Sequence, residues 1–180
     1  MKFLHMLITV LLCLQVSLSF AATPATQSTH GLSPAETQKI REVVNEVRKA
    51  ILSKNTKEFL KYVSVTNGLT CTDTNYTHKE IKKFLSDKDS HLNISLFDSA
   101  RFSKQCGNGY PKEYPAIAEI EFLQSANESI KVSPLDNDWV EVAIESSIKT
   151  HYPRMWYLHK EAQTWKVSGS SFIIGNCTCG

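Results

Sequence analysis

The side chains with the widest choice of chemistry in this 180-residue sequence are its cysteines. Cys177 and Cys179 stand one residue apart in the closing "GNCTCG". Cys71 and Cys106 lie far upstream, and Cys13 falls inside an N-terminal apolar run. A ring closed between Cys177 and Cys179 would be strained and oxidising, and could support thiol exchange. Four thiolates could hold zinc, but the Cys-x-x-Cys spacing common in such sites is absent. A third arrangement sends Cys177 and Cys179 separately to Cys71 and Cys106. Residues two apart on a strand point to the same side, so both sulfurs could face the same underlying loops. An even cysteine count behind an export signal favours disulfides. The expectation is two structural bridges with no free thiol and each tail cysteine tied to the body, although three connectivities are possible.

Candidates for acid–base work are few. Asp98 follows "ISLF", and His159 alternates with Met155 and Tyr157, so the two could meet in the hollow of a curved sheet. Each also has an ordinary role, Asp98 as a turn or cap acid and His159 as a structural histidine. "LDNDWVE" gathers Asp136, Asn137, Asp138 and Glu141. Those are calcium-type donors, but the glycine and the distant glutamate of a calcium-binding helix–loop–helix are missing, and the same residues make a turn before a strand. The sequence holds no Gly-x-Ser-x-Gly, no His-Glu-x-x-His and no phosphate-cradling loop; "CGNGY" supplies only two glycines. No cofactor and no metal is expected. Tyr110-Pro111, Tyr114-Pro115 and Tyr152-Pro153 mark extended loops whose rings either meet a partner or fold back on a sheet edge. Four Asn-x-Ser/Thr triplets begin at Asn75, Asn93, Asn127 and Asn176, and are glycan acceptors if the chain comes from a eukaryote.

The compartment follows from the N-terminus. Lys2 precedes an apolar run from Phe3 to Phe20, and small residues Ser19, Ala21 and Ala22 close it. That pattern predicts a signal peptide over 1–21, cut after Ala21, and hence export to a periplasm or the extracellular space. Residues 22–32 are small and polar and predict a disordered leader; 33–180 have the length of one domain. With 20 basic and 18 acidic residues the net charge is +2, too even for a nucleic-acid or membrane-surface partner. After signal cleavage no apolar stretch is long enough to span a bilayer.

The elements that must position these residues change period along the chain. Ser33 as cap, Pro34 in the first turn and Glu36 as the return arm of a capping box open a helix over 34–53. Ile40, Val43, Val44, Val47 and Ile51 form its apolar stripe. Asn55 with Glu58, and Thr77 with Glu80, start helices over 56–63 and 78–87. Alternation then takes over. "PAIAEIEFL" sets Ala116, Ala118, Ile120 and Phe122 against Glu119 and Glu121, and "WVEVAIE" sets Val140, Val142 and Ile144 against Glu141 and Glu145. "RMWYLHK" and "TWKVSG" predict a hairpin across "EAQ", with further strands near 100–105, 129–133 and 171–175. Helices followed by strands predict an α+β fold, N-terminal helices packed on a curved antiparallel sheet of five to six strands.

That order of elements, ending in the aromatic hairpin "WYLHKEAQTWKVSG" with its closing "WKVSG", resembles the NTF2-like superfamily, the cystatin-like α+β roll. The resemblance implies a cone-shaped domain in a superfamily holding both ketosteroid-isomerase-like enzymes and non-catalytic binding modules. Without a reactive constellation, the residues favour a non-catalytic domain that binds a small ligand or protein partner at the mouth of the sheet. The alternatives are a small isomerase- or hydrolase-type enzyme using Asp98 with His159, and a thiol-redox protein using Cys177 and Cys179.

Overall fold

A computed structural model of the chain describes residues 31–71, 74–107 and 115–170. They form six helices and a six-stranded sheet, an α+β fold. The helices are α1 (Pro34–Leu52), α2 (Thr56–Lys61), α3 (His78–Ser86), α4 (His91–Phe97), α5 (Ser99–Cys106) and α6 (Glu119–Ser125). The strands are β1 (Leu69–Cys71), β2 (Thr74–Tyr76), β3 (Ala126–Pro134), β4 (Trp139–Ser146), β5 (Arg154–Glu161) and β6 (Thr164–Ser170). The signal segment and the strand expected near 171–175 lie outside the described residues. Leu32, assigned from sequence to the leader, packs against the core.

The first three helices begin where their caps predict. The Ser33 hydroxyl accepts from the Glu36 N–H at 3.1 Å and the Asn55 side chain from the Glu58 N–H at 3.0 Å. At α3 the capping box is complete: Glu80 Oε2 accepts from the Thr77 N–H at 2.8 Å, and Thr77 Oγ1 from the Glu80 N–H. At α1 it is not, because the Glu36 carboxylate turns instead to Trp165 and Lys160. Gly68 has φ of +64°, and a Cβ there would sit 1.9 Å from the Tyr76 carbonyl oxygen, so only glycine fits at the entry to β1, beside the end of β2.

Three expectations are corrected. Residues 100–105 are helix α5, because Asp98 caps that segment by accepting from the Arg101 N–H at 3.0 Å. Residues 119–125 are helix α6, not a strand. Its sequence is rich in helix formers, two glutamates fall in its first turn, and Ile120, Phe122 and Leu123 are all buried. The sheet is mixed rather than antiparallel: in the order β2-β1-β6-β5-β4-β3, β1 runs parallel to β6 and the other pairs are antiparallel. The parallel join continues at Val63, which bridges Val167. Register breaks at Ala126/Ile130 and Tyr157/Leu158 bend the long strands, as bulges do.

One face of the sheet, carrying Val140, Val142, Ile144, Trp156, Leu158, Trp165 and Val167, is buried against the helices. No helix among the described residues is long and apolar enough to cross a membrane.

Candidate binding site

The hollow between sheet and helices is where a roll-shaped domain would hold a ligand, and here it is filled. Phe122, Ile144 and Trp156 are each no more than 2% exposed. Among the described residues a cavity of about 10 Å³ lies between Val47, Phe59, Leu96, Glu119, Trp156 and Ser170, room for a single water.

That cavity has one acid on its wall. Glu119, in the first turn of α6, is 2% exposed. Its Oε1 accepts from the Trp156 indole N–H at 2.9 Å, and its Oε2 lies 3.4 Å from Arg154 Nε. Burial pushes the carboxyl above its ordinary range, while Arg154 and the indole pull the other way. The Arg154 guanidinium also stacks 4.8 Å from the centre of the Phe122 ring. The alternating pattern assigned Glu119 to solvent, so sequence reasoning missed it; the helix-forming composition of "EIEFLQS" was the available signal.

The proposed acid–base pair does not assemble. Asp98 is spent on the α5 cap. His159 sits on the sheet face turned away from the helices, beside Met155 and Tyr157, with its ring 4.7 Å from that of Trp139, its cross-strand partner. Asp136 is a turn residue: its Oδ1 accepts from the N–H groups of Asp138 and Trp139 at 2.8 and 2.9 Å. His78 reaches the Leu60 carbonyl at 3.2 Å. His151 Nδ1 lies 3.0 Å from the Ser125 hydroxyl and 3.3 Å from that of Ser146, a knot joining the end of α6 to the β4–β5 loop. Burial lowers the affinity of His151 for a proton.

A second, wider opening among the described residues lies outside that cavity. A groove of about 300 Å³ runs between α1 and the β5–β6 turn, lined by Lys39, Glu42, Val43, Glu46, Tyr62, Gln163, Thr164 and Trp165. Its end is fixed by Glu36. The Trp165 indole donates to Glu36 Oε1 at 2.7 Å, and Lys160 Nζ lies 2.9 Å from the same oxygen. The Lys160 hydrogen bond is the main reason the Glu36 carboxyl is held below its ordinary value, against burial and together with the indole. Lys166 Nζ sits 5.9 Å from the centre of the Tyr62 ring. The groove thus joins two aromatic walls to a rim bearing both charge signs.

Cys106 ends α5 and is 2% exposed; Cys71 ends β1. Cys177, Cys179, Tyr110, Pro111, Tyr114 and Asn176 lie outside the described residues. Tyr152 is 49% exposed. Among the described residues no group of three or more histidines, cysteines and acids is placed to hold a metal ion.

No protein-family model and no curated protein matches the sequence. Among solved structures, the chain is similar to a protein from Xanthomonas campestris described as a calcium/calmodulin dependent protein kinase II association domain. The TM-score is 0.37 and the identity 12%, over 78% of this chain and 89% of that one.

Proposed function

We propose that this chain is an exported, disulfide-stabilised NTF2-like roll that binds a small ligand or protein segment without transforming it, and that it does so in the groove between α1 and the β5–β6 turn. The observation that carries the reading is the contrast in free volume: about 10 Å³ in the hollow against about 300 Å³ in the groove. Among the described residues, the space beside Glu119 admits one water, too little for a substrate. The groove offers what recognition uses, the partly buried Tyr62 ring and an edge of the buried Trp165 within a polar rim.

Amide and indole chemical shifts test this directly. Titration of isotope-labelled protein with a fragment library and a pool of short peptides is expected to move Val43, Tyr62, Gln163 and the Trp165 indole together. Ligands that instead move Trp156 and Glu119, and leave the groove still, would replace this reading with its rival. That rival is an enzyme whose pocket acid is Glu119 rather than Asp98, and it draws on the raised affinity of that buried carboxyl for its proton. A broad screen that moves nothing would count against both.

The cysteine part of the proposal is that Cys71, Cys106, Cys177 and Cys179 form two bridges. It draws support from Cys106, which is buried and does not titrate as a thiol. Proteolysis of the unreduced protein followed by mass spectrometry is expected to release the C-terminal peptide joined to peptides containing Cys71 and Cys106. A C-terminal peptide released alone would sink the two-bridge arrangement.

A further inference from the structure

The Asn-x-Ser/Thr triplets are identical as motifs but occupy unlike positions in the fold. Asn75 lies in β2, the strand at one end of the sheet order, where it pairs with Thr70 of β1 and is exposed. Asn127 lies in β3, at the other end of the order. Ladder pairing with β4 holds at Ala126 and resumes at Ile130, so Asn127, Glu128 and Ser129 fill the break in register. Glu128 and Ser129 are exposed, and the Asn127 backbone is held by its carbonyl, which accepts from Arg48 Nη1 at 3.2 Å. That leaves both side-chain amides outside the hydrogen bonding of the described residues.

Asn127 and Asn93 are both half-buried, but the surroundings of Asn93 differ. It sits in the first turn of α4, its side-chain amide donates to the Leu85 carbonyl at 3.0 Å, and Ile94 and Ser95 of its triplet are 1% and 3% exposed. A sugar on that amide would have to fit between α4 and the end of α3, so glycan and fold compete for one group.

We propose that Asn75 and Asn127 carry N-linked glycans, one at each end strand of the sheet, and that Asn93 carries none. The inference rests on the reading of the chain as exported, here through a eukaryotic secretory route. The donor is an oligosaccharide linked to a lipid pyrophosphate. The asparagine Nδ2 forms a bond to the sugar C1, the C1–O bond to pyrophosphate breaks, and the amide proton leaves as the lipid pyrophosphate departs. The physical return is protection. End strands present unpaired N–H and C=O groups that template pairing with other chains, and a bulky hydrated glycan beside such a strand blocks that approach. Within the described residues these two triplets, whose hydroxyl residues Thr77 and Ser129 are exposed, begin on the two end strands.

The test uses the full chain secreted from a eukaryotic cell line, carrying Asn176→Gln so that only the three described triplets are read. One version keeps residues 1–21 and a second replaces them with a signal peptide of known function. Intact mass before and after peptide-N-glycosidase treatment is expected to show two glycans. Asn75→Gln and Asn127→Gln should each remove one, and Asn93→Gln none. Secretion by the second version alone would sink the export reading, while occupancy is still measured on that version. Chain retained in the cell is scored in the same way. A chain with no glycan, with only one of the two, or with one lost in Asn93→Gln overturns the assignment.

Discussion

Two carboxylates in unlike surroundings show what decides the state of an acid. Glu119 is dry and faces a cation; Glu161 stands at the end of β5 with no cation as partner among the described residues. Proximity to a charge alone would make Glu119 the stronger acid, yet its carboxyl is pushed up by burial. Glu161 also feels burial. Four donors outweigh it: the Ser64 hydroxyl, the Thr66 hydroxyl at 2.6 Å, and the N–H groups of Thr66 at 3.0 Å and Val65 at 3.3 Å. They bring its value down to about 2. A guanidinium 3.4 Å away, without a well-formed hydrogen bond, does less for an anion than a closed ring of short ones.

The hardest way to break this comparison is to remove the cation. Arg154→Ala leaves Glu119 buried with the indole of Trp156 as its remaining charge-favouring partner, and is expected to cost about 3–5 kcal/mol in urea unfolding. The loss should grow with pH. An acid whose folded value lies above its unfolded one binds more protons in the folded state, so stability falls as pH rises from 4.5 toward the folded value. Removing Arg154 extends that window upward. The double variant Arg154→Met with Glu119→Leu is expected to recover much of the loss and to lose the pH slope. A single variant as stable as wild type at all pH values would show that the pair is not coupled.

Glu161 gives the opposite slope. Its folded value of about 2 lies below the ordinary 4.5, so its contribution is complete above pH 4.5 and drains away as pH falls toward 2. Glu161→Gln should remove that acid-side loss. Hydrogen bonds to a charged group contribute about 1.5–3 kcal/mol, and partial exposure of this one brings the expected cost at neutral pH to about 2 kcal/mol. Hydrogen exchange should localise the loosening to the segment 64–67. A variant whose acid unfolding curve overlays that of wild type would refute the donor-ring account.

Neither acid was legible as such in the sequence, and the reasons differ. Glu161 lay in a recognised hairpin, but its donors come from residues about 95 positions earlier, brought close by the join of Val63 to β6. Glu119 was hidden by a coincidence of period, since Ala116, Ala118, Ile120 and Phe122 alternate although a helix starts among them. Helices α1 and α3 were legible because cap and stripe agree. Strands β4 to β6 were legible because one face is apolar and the other is not. Helices α4 and α5 are short, and their signals were single caps, Ser90 and Asp98, the second of which was weighed as a catalytic acid. The groove was not legible: Tyr62 and Trp165 lie about 100 positions apart, and only the packing brings them to one opening.

Glu36 lies between the two extremes, sharing one oxygen between an indole and an ammonium. Trp165→Phe removes the indole donor and leaves Lys160 in place. The lost bond to a charged acceptor, still partly served by Lys160 and water, is expected to cost about 1 kcal/mol by thermal unfolding. The Glu36 carboxyl should rise toward its ordinary value, readable by carboxyl carbon resonances across an acid titration. An unmoved carboxyl would mean that Lys160, with Lys39 3.6 Å from Oε2, holds it without the indole.

The smallest effect is expected where the contact is among the shortest. Lys49 Nζ lies 2.6 Å from Glu46 Oε1 on the outer face of α1, closer than Arg154 is to Glu119. If distance set the energy, this pair would outrank the buried one. Both of its side chains are exposed, at 71% and 43%, so water solvates either charge when the pair opens. The attraction is then offset by desolvation and by the rotamer freedom lost in holding two long chains together. Lys49→Met keeps most of the aliphatic stem and a good helix former. Its unfolding midpoint should be indistinguishable from that of wild type at both low and molar salt. A deficit that appears at low salt and vanishes at high salt would show that an exposed pair contributes through its charge after all, and that environment decides the worth of a charge less sharply than Glu119 and Glu161 indicate.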